Sequence, residues 1–218
     1  MIETKALYDC DVPYLKELFS SCEYPWELLP KIKDHVKKLI SEGIEGFSEL
    51  KSGVLIGKNV VISQYVTIEA PAVIGHNCIL RPGAYLRGNV ITGEDCVLGN
   101  SCEYKNCILL NKVQTPHYNY VGDSVLGNGA HLGAGTVCSN LKSDKKNVVI
   151  HGTEDHATGL RKVGAFLGDG ADIGSGCVLN PGTVIGKNTS VYPLTPLRGV
   201  YGSDLIVKAQ KEFVKKAE

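Results

Sequence analysis

A branched apolar residue recurs at every sixth position over most of this chain. From Ile56 the register runs through Ile62, Ile68, Ile74, Leu80 and Leu86, is interrupted at Thr92, and resumes at Leu98. It reappears at Leu126 and Leu132, and again at Leu167, Ile173, Leu179, Ile185 and Val191. Four residues after each anchor stands a slim side chain: Ala72, Cys78, Ala84, Cys96, Cys102, Ala130, Thr136, Ala171, Cys177 and Thr183. Gly often follows the anchor, as in IGKNVV, LGNGAH and IGSGCV. A period of six with this grammar predicts hexapeptide coils, a left-handed parallel β-helix. Each hexad supplies one short strand and one tight turn, and three hexads close a triangular coil. Anchor and slim residue point inward, Gly or Asn turns the corner, and stacked coils bury what one coil cannot. The helical alternative requires apolar spacings of three and four, which are missing between Ile56 and Leu110.

Before about Lys51 the hexad is missing. The segment PWELLPKIKDHVKKLISEG instead places Leu28, Ile32, Val36, Leu39 and Ile40 on one helical face, with Gly43 as a stop. Residues 1–50 are therefore expected as a helical cap over the open first coil, whose bare sheet edges need protection. The β-helix is expected over 51–198. After it, residues 199–218 read as a tail, with Ser203 capping a short surface helix. Two stretches break the pattern: VQTPHYN, Val113 to Asn119, and the longer Ser139 to Val163. The second carries Lys142, Lys145, Lys146, Arg161 and Lys162. It reads as too polar to pack as core, and as a mobile loop that orders around an anionic ligand. Loops leaving a rigid scaffold are where function concentrates.

Composition narrows the field. The 218 residues carry 23 basic and 23 acidic side chains, a formal net charge of zero, so no electrostatic footprint points to nucleic acid or an anionic membrane. No apolar run approaches a transmembrane span and MIETKALYDC lacks a signal-peptide pattern, so a cytoplasmic location is expected. Of eight cysteines, Cys78, Cys96, Cys102 and Cys177 fall at the slim inward position, where Cys acts as a small hydrophobe. With no CxxC pair, neither a disulfide framework nor a cysteine zinc site is expected.

The strings LRPGAYL, EYKN, HYNYVGDSVLG, HLGAGTVCSN and FLGDGADIGSGC resemble the acetyltransferase domain of the bifunctional N-acetylglucosamine-1-phosphate uridyltransferase/glucosamine-1-phosphate N-acetyltransferase family. HxxYxGD followed by xGAGTxxxN is the specific part. The whole chain, with YPWELLPK and NPGTVIGKNTSVYPL, is similar to stand-alone pyrophosphorylase-related proteins. The resemblance implies a homotrimeric hexapeptide acyltransferase that takes acetyl-CoA as a substrate and needs no metal. It implies an N-acetyltransferase acting on an amino-sugar phosphate such as glucosamine 1-phosphate, or on a sugar nucleotide, in UDP-N-acetylglucosamine and cell-envelope precursor synthesis. His117 takes the place of the general base. Arg81 and Lys105 stand where the family holds the sugar phosphate, and Tyr120, Asn140 and Lys146 where it contacts the acceptor. Ala134 and Ser175 stand where it contacts coenzyme A. His131 replaces the family's Asn and Leu141 its Tyr beside the amino-sugar pocket. The family's nucleotidyltransferase half has no counterpart here, so uridylyl transfer is not expected.

The residues themselves suit part of this. An attacking amine must be neutral, and a neutral imidazole near pH 7 is a fitting proton acceptor. Arg81 and Lys105, whole coils apart, are expected to stack on one face as a phosphate clamp. Tyr120, one hexad before Leu126, also suits an inward anchor, Asn140 a plain turn, and His117 a surface position packed on Tyr118 or Tyr120. Two other classes compete. One is a catalytically silent or regulatory scaffold on the same repeat. The other is a zinc enzyme of the carbonic-anhydrase type, for which His151 and His156 have a suggestive spacing but no paired GH motif.

Overall fold

The computed structural model describes residues 2–209. Three parallel sheets wind around one axis, with nine, eight and seven strands. We name them faces A, B and C in the order the chain meets them. The first coil is Val54–Ile56, Val61–Ile62 and Thr67–Glu69. Face A begins with an antiparallel lead-in strand, Ser48–Lys51, that covers the edge of Val54–Ile56. Partners in neighbouring coils are 18 residues apart at first, as in Val54 beside Ala72. The interval then drops to 17, with Val90 beside Cys107 and Ile108 beside Val125. Across the long insertion it is 41, Val125 beside Phe166.

The inner core is the hexad made solid. Leu80, Leu86, Leu98, Leu126, Leu132, Leu167, Ile173, Leu179 and Ile185 are all fully buried. So are the slim residues, including the free thiols of Cys78, Cys96 and Cys177. The expected break at Val113–Asn119 is instead a regular part of the coil, with a strand at Gln114–His117. Two things hid it. The corners after Tyr104 and Val121 are one residue short, and Asn106 and Asp123 make them at φ 47° each. The anchors there are also polar: Thr92, Tyr104 and Thr115 face inward and are fully buried. Tyr104 Oη and Thr115 Oγ1 satisfy each other at 2.6 Å, as buried hydroxyls must.

The N-terminal segment folds as short helices, α1 (Thr4–Leu7), α2 (Lys16–Ser20) and α3 (Ile32–Glu42), with 3₁₀ turns between. It does not cap the first coil. It lies lengthwise along the outside of face A, where Leu7, Leu15, Leu28, Ile32 and Val36 form a second core with Leu55, Val73, Ile91, Ile108, Val125, Phe166 and Val184. These seven are the outward residues of face A in successive coils. Covering that apolar strip takes its surface out of water, which stabilises at about 25 cal/mol per Å². Tyr8 and Tyr14 donate hydrogen bonds to the carbonyls of Val125 and Thr92 at 3.2 and 2.7 Å and fix the segment lengthwise. The first coil remains open, and its inward Ile62 is 38% exposed.

The insertion also departs from expectation. It folds into an antiparallel hairpin, Val149–His151 with Asp155–Ala157. Val148, Ile150 and Val163 are fully buried in the second core. Its charges face water and its few apolar residues reach face A. The tail from residue 199 was expected as a helix. Its described part instead adds strands Val200–Tyr201 to face A and Ile206–Val207 to face B, and the β-helix continues through them. The remainder of that expected helix, from Gln210, lies outside the described residues. No helix among the described residues is long and apolar enough to cross a membrane.

Candidate active site

Most of the residues singled out in the sequence lie at the two corners that bound face C; His131 and Lys146 do not. At the corner between faces B and C, one column carries Asn100, His117, Ala134 and Ser175 in successive coils. His117 pairs with Asn100, Gly135 N–H donates to the His117 carbonyl at 3.1 Å, and Gly176 N–H donates to that of Ala134 at 2.8 Å. Arg81 stands on the same corner two coils below His117, since its N–H bonds to Leu98 O in the coil between. The imidazole is exposed on a rigid turn. Tyr118 turns that corner at φ 53°, and the buried Asn119 holds it. Asn119 Oδ1 accepts the His117 N–H at 3.3 Å, and its Nδ2 donates to Gly133 O at 2.8 Å. Asn119 had no periodic signal and was missed. Its position inside HYNY is its only mark.

At the far corner of face C, toward face A, sit Lys105 and Asn140, and the Tyr120 side chain reaches toward them from the start of its strand. Tyr120 points outward between Glu103 and Val137, and its neighbour Val121 is the inward anchor. Asn140 Nδ2 donates to Tyr120 Oη at 3.1 Å, so Asn140 is more than a turn residue. Burial pushes the Tyr120 phenol up, and the carboxylates of Asp123 and Glu103 add to the shift. Gly122 makes room for this contact. A Cβ there would strike the Tyr120 hydroxyl and stand 2.8 Å from the Asn140 amide nitrogen.

The expected stacking of Arg81 with Lys105 does not occur, because they occupy opposite corners of face C. The register that sets Tyr104 beside Leu86 places Arg87 beneath Lys105, and Glu103 neutralises Arg87 at 2.6 Å. His131 faces outward on face B, with Nδ1 2.7 Å from Asp172 Oδ1. Lys146 is exposed in the insertion, where its backbone N–H donates to Asp144 Oδ1 at 3.0 Å. The two histidines weighed as metal ligands diverge. His151 pairs with Asp155 at 2.9 Å, whereas the His156 ring packs 5.5 Å from Tyr24 and 5.9 Å from Trp26. Among the described residues no group of three His, Cys, Asp or Glu side chains is placed to hold a metal ion.

Coils, slim inward residues and glycine corners together define a hexapeptide-repeat β-helix protein. Residues 53–88 match the family model for the bacterial transferase hexapeptide (six repeats). Among its relatives is the bifunctional protein GlmU of Methanococcus aeolicus, 36% identical over 206 residues, covering 89% of this chain and 48% of the relative. Another is the bifunctional sugar-1-phosphate nucleotidylyltransferase/acetyltransferase of Sulfurisphaera tokodaii. It is 36% identical over 97 residues, covering 44% of this chain and 24% of the relative. Among solved structures, a point mutant of the N-acyltransferase AntD from Bacillus cereus, in complex with dTDP-4-amino-4,6-dideoxyglucose and coenzyme A, aligns at a TM-score of 0.43 and 17% identity. That alignment covers 78% of this chain and 88% of AntD. The chain spans about half the length of the GlmU relative it matches.

Proposed function

We propose that this protein is an acyl-CoA-dependent N-acyltransferase that acetylates the amine of a phosphorylated or nucleotide-linked amino sugar. Glucosamine 1-phosphate is the simplest acceptor of that class. The observation that carries the reading is the corner column, which puts an exposed imidazole on a turn locked by Asn119, directly below Ala134 and Ser175. Acetyl-CoA laid along that column brings its thioester to His117. The neutral amine attacks the thioester carbonyl, so a C–N bond forms and the C–S bond breaks. His117 takes the amine proton and returns it to the departing CoA sulfur, which leaves the base ready for the next turn. The name of the Sulfurisphaera tokodaii relative, which pairs sugar-1-phosphate nucleotidylyl transfer with acetyl transfer, favours this substrate class.

The second corner, with Lys105, Asn140 and the Tyr120 hydroxyl that Asn140 binds, lies across face C from the His117 corner. We assign the protein a homotrimer in which one protomer's His117 corner meets a neighbour's Tyr120 corner. Val61, Ile79 and Val178, outward on faces B and C and 40–55% exposed, are the apolar surface such packing would cover. A CoA-release assay over amino sugars, their 1-phosphates and their nucleotide conjugates tests the chemistry. Turnover is expected with a phosphorylated acceptor, and His117→Ala is expected to lower kcat about a hundredfold or more with the oligomer intact. Silence across the panel would leave the scaffold reading. A monomeric mass by light scattering at micromolar concentration would remove the shared site.

A further inference from the structure

One buried carboxylate takes no part in this chemistry. Asp123 is 7% exposed at the short corner between faces C and A. Its hydrogen-bond partners are two neutral amides. Asn106 Nδ2 donates to Oδ1 at 2.9 Å, and Asn140 Nδ2 donates to Oδ2 at 2.6 Å. Its backbone closes the root of the insertion, with its N–H on Lys105 O at 2.9 Å and its carbonyl accepting the Gly164 N–H at 2.7 Å. Asn106 also donates to Leu29 O at 3.3 Å and so ties in the N-terminal segment. Coil, insertion and flank therefore meet at this one side chain.

The chemistry of the contact fixes an orientation. An ionised carboxylate only accepts, so Asn140 must turn its NH2 group toward Asp123. The second N–H of that group donates to Tyr120 Oη. Both amide hydrogens are then engaged, and the carbonyl Oδ1 is left facing away. Among the described residues that oxygen accepts no hydrogen bond, and on the half-buried Asn140 it is not sealed from solvent. We propose that Asp123 is a positioning residue. It locks the Asn140 amide so that Oδ1, an acceptor, faces the incoming amino sugar and takes one N–H of the attacking amine. That bond holds the nitrogen lone pair toward the thioester. The inference rests on the acyl-transfer reading of the same site.

The test is an exchange of partners. Asp123→Asn leaves one acceptor for two donors: Asn106 is also held by Leu29 O, whereas Tyr120 Oη can donate as well as accept, so the Asn140 amide is the one that flips and presents a donor to the amine. A kcat loss of about a hundredfold is expected, as for a misplaced reacting group, with KM for acetyl-CoA and the melting temperature close to those of the parent. The double variant Asp123→Asn with Asn140→Asp restores one donor facing one carboxylate and keeps an acceptor toward the substrate. It should recover at least tenfold of the loss. The side-chain NH2 resonances of Asn140, shifted downfield and protected from exchange by the carboxylate in the parent, should lose both features in Asp123→Asn. Unchanged resonances would overturn the proposal whether or not the protein turns over. An unchanged kcat in Asp123→Asn, or a double variant that keeps the parent's melting temperature but regains no activity, would overturn it beside an active parent. A parent with no turnover on any acceptor would instead sink the acyl-transfer reading.

Discussion

Faces A and B of this prism are built by the same repeat and bury the same kind of anchor, yet their outer surfaces are opposites. On face A the outward residues Leu55, Val73, Ile91, Ile108, Val125, Phe166 and Val184 are buried under the N-terminal segment and the insertion. On face B the corresponding positions hold Val61, Ile79, Val97, Gln114, His131 and Asp172, all at least partly open. A six-residue repeat specifies only what points inward. What covers each face follows from a slower rhythm, read at one hexad in three, and that rhythm decides where flank and insertion fold and which corners stay free for substrate.

The comparison breaks most readily at Phe166. It is fully buried on the outside of face A, 6.5 Å from the Trp26 ring centroid. Phe166→Ala is expected to destabilise by about 3–5 kcal/mol, read from the urea midpoint at constant slope. A loss below about 1 kcal/mol would show that the outer core adds little to the inner one. Next is Ile150, the insertion's buried contact with that core. Ile150→Ala is expected to lower stability by about 2–5 kcal/mol, whereas a mobile polar loop would lose nothing. Asn119→Ala strips the corner of its lock and removes the acceptor of the His117 N–H, which costs about 1–3 kcal/mol. It should also lower kcat more than it raises KM for either substrate, and an unaltered kcat would mean that the turn holds His117 unaided. The smallest effect belongs to face B. Val61→Ser, at a site 55% exposed, should change protomer stability by less than about 0.5 kcal/mol while weakening the proposed trimer, as seen by sedimentation over a dilution series. A trimer indifferent to Val61→Ser would move the interface elsewhere.

Much of this was legible in the chain. Ile74, Leu80, Leu132, Ile173 and Ile185 announced the prism, and Cys78 and Cys177 its tight inner positions. The break seen at Val113–Asn119 arose because Thr92, Tyr104 and Thr115 are polar anchors satisfied inside, Tyr104 and Thr115 by each other and Thr92 by the Gly75 N–H, which a hydrophobicity pattern scores as gaps. The outer strip was present as an apolar residue before every third anchor, but its meaning depended on a partner segment that spacing cannot identify. At the candidate site, His117 and Asn140 stood out in motifs. Asp123 closes the same motif as His117 but drew no role, and Asn119 drew none either, because each acts through side-chain hydrogen bonds to residues up to 17 positions away.

The sequence by itself determined the repeat, the inward residues, the helical character of the N-terminal segment and the strings that carry the site. Those are local properties, set by side-chain period and turn chemistry within one or two hexads. Only the tertiary structure decided that the helices flank face A and leave the first coil open, that Arg81 and Lys105 sit on opposite corners, and that Asp123 joins coil, flank and insertion. Each depends on which surfaces meet after the coils have stacked. Burial and hydrogen-bond satisfaction act between residues that the sequence keeps far apart: Tyr8 and Val125 are 117 positions apart, and Asn106 and Leu29 are 77.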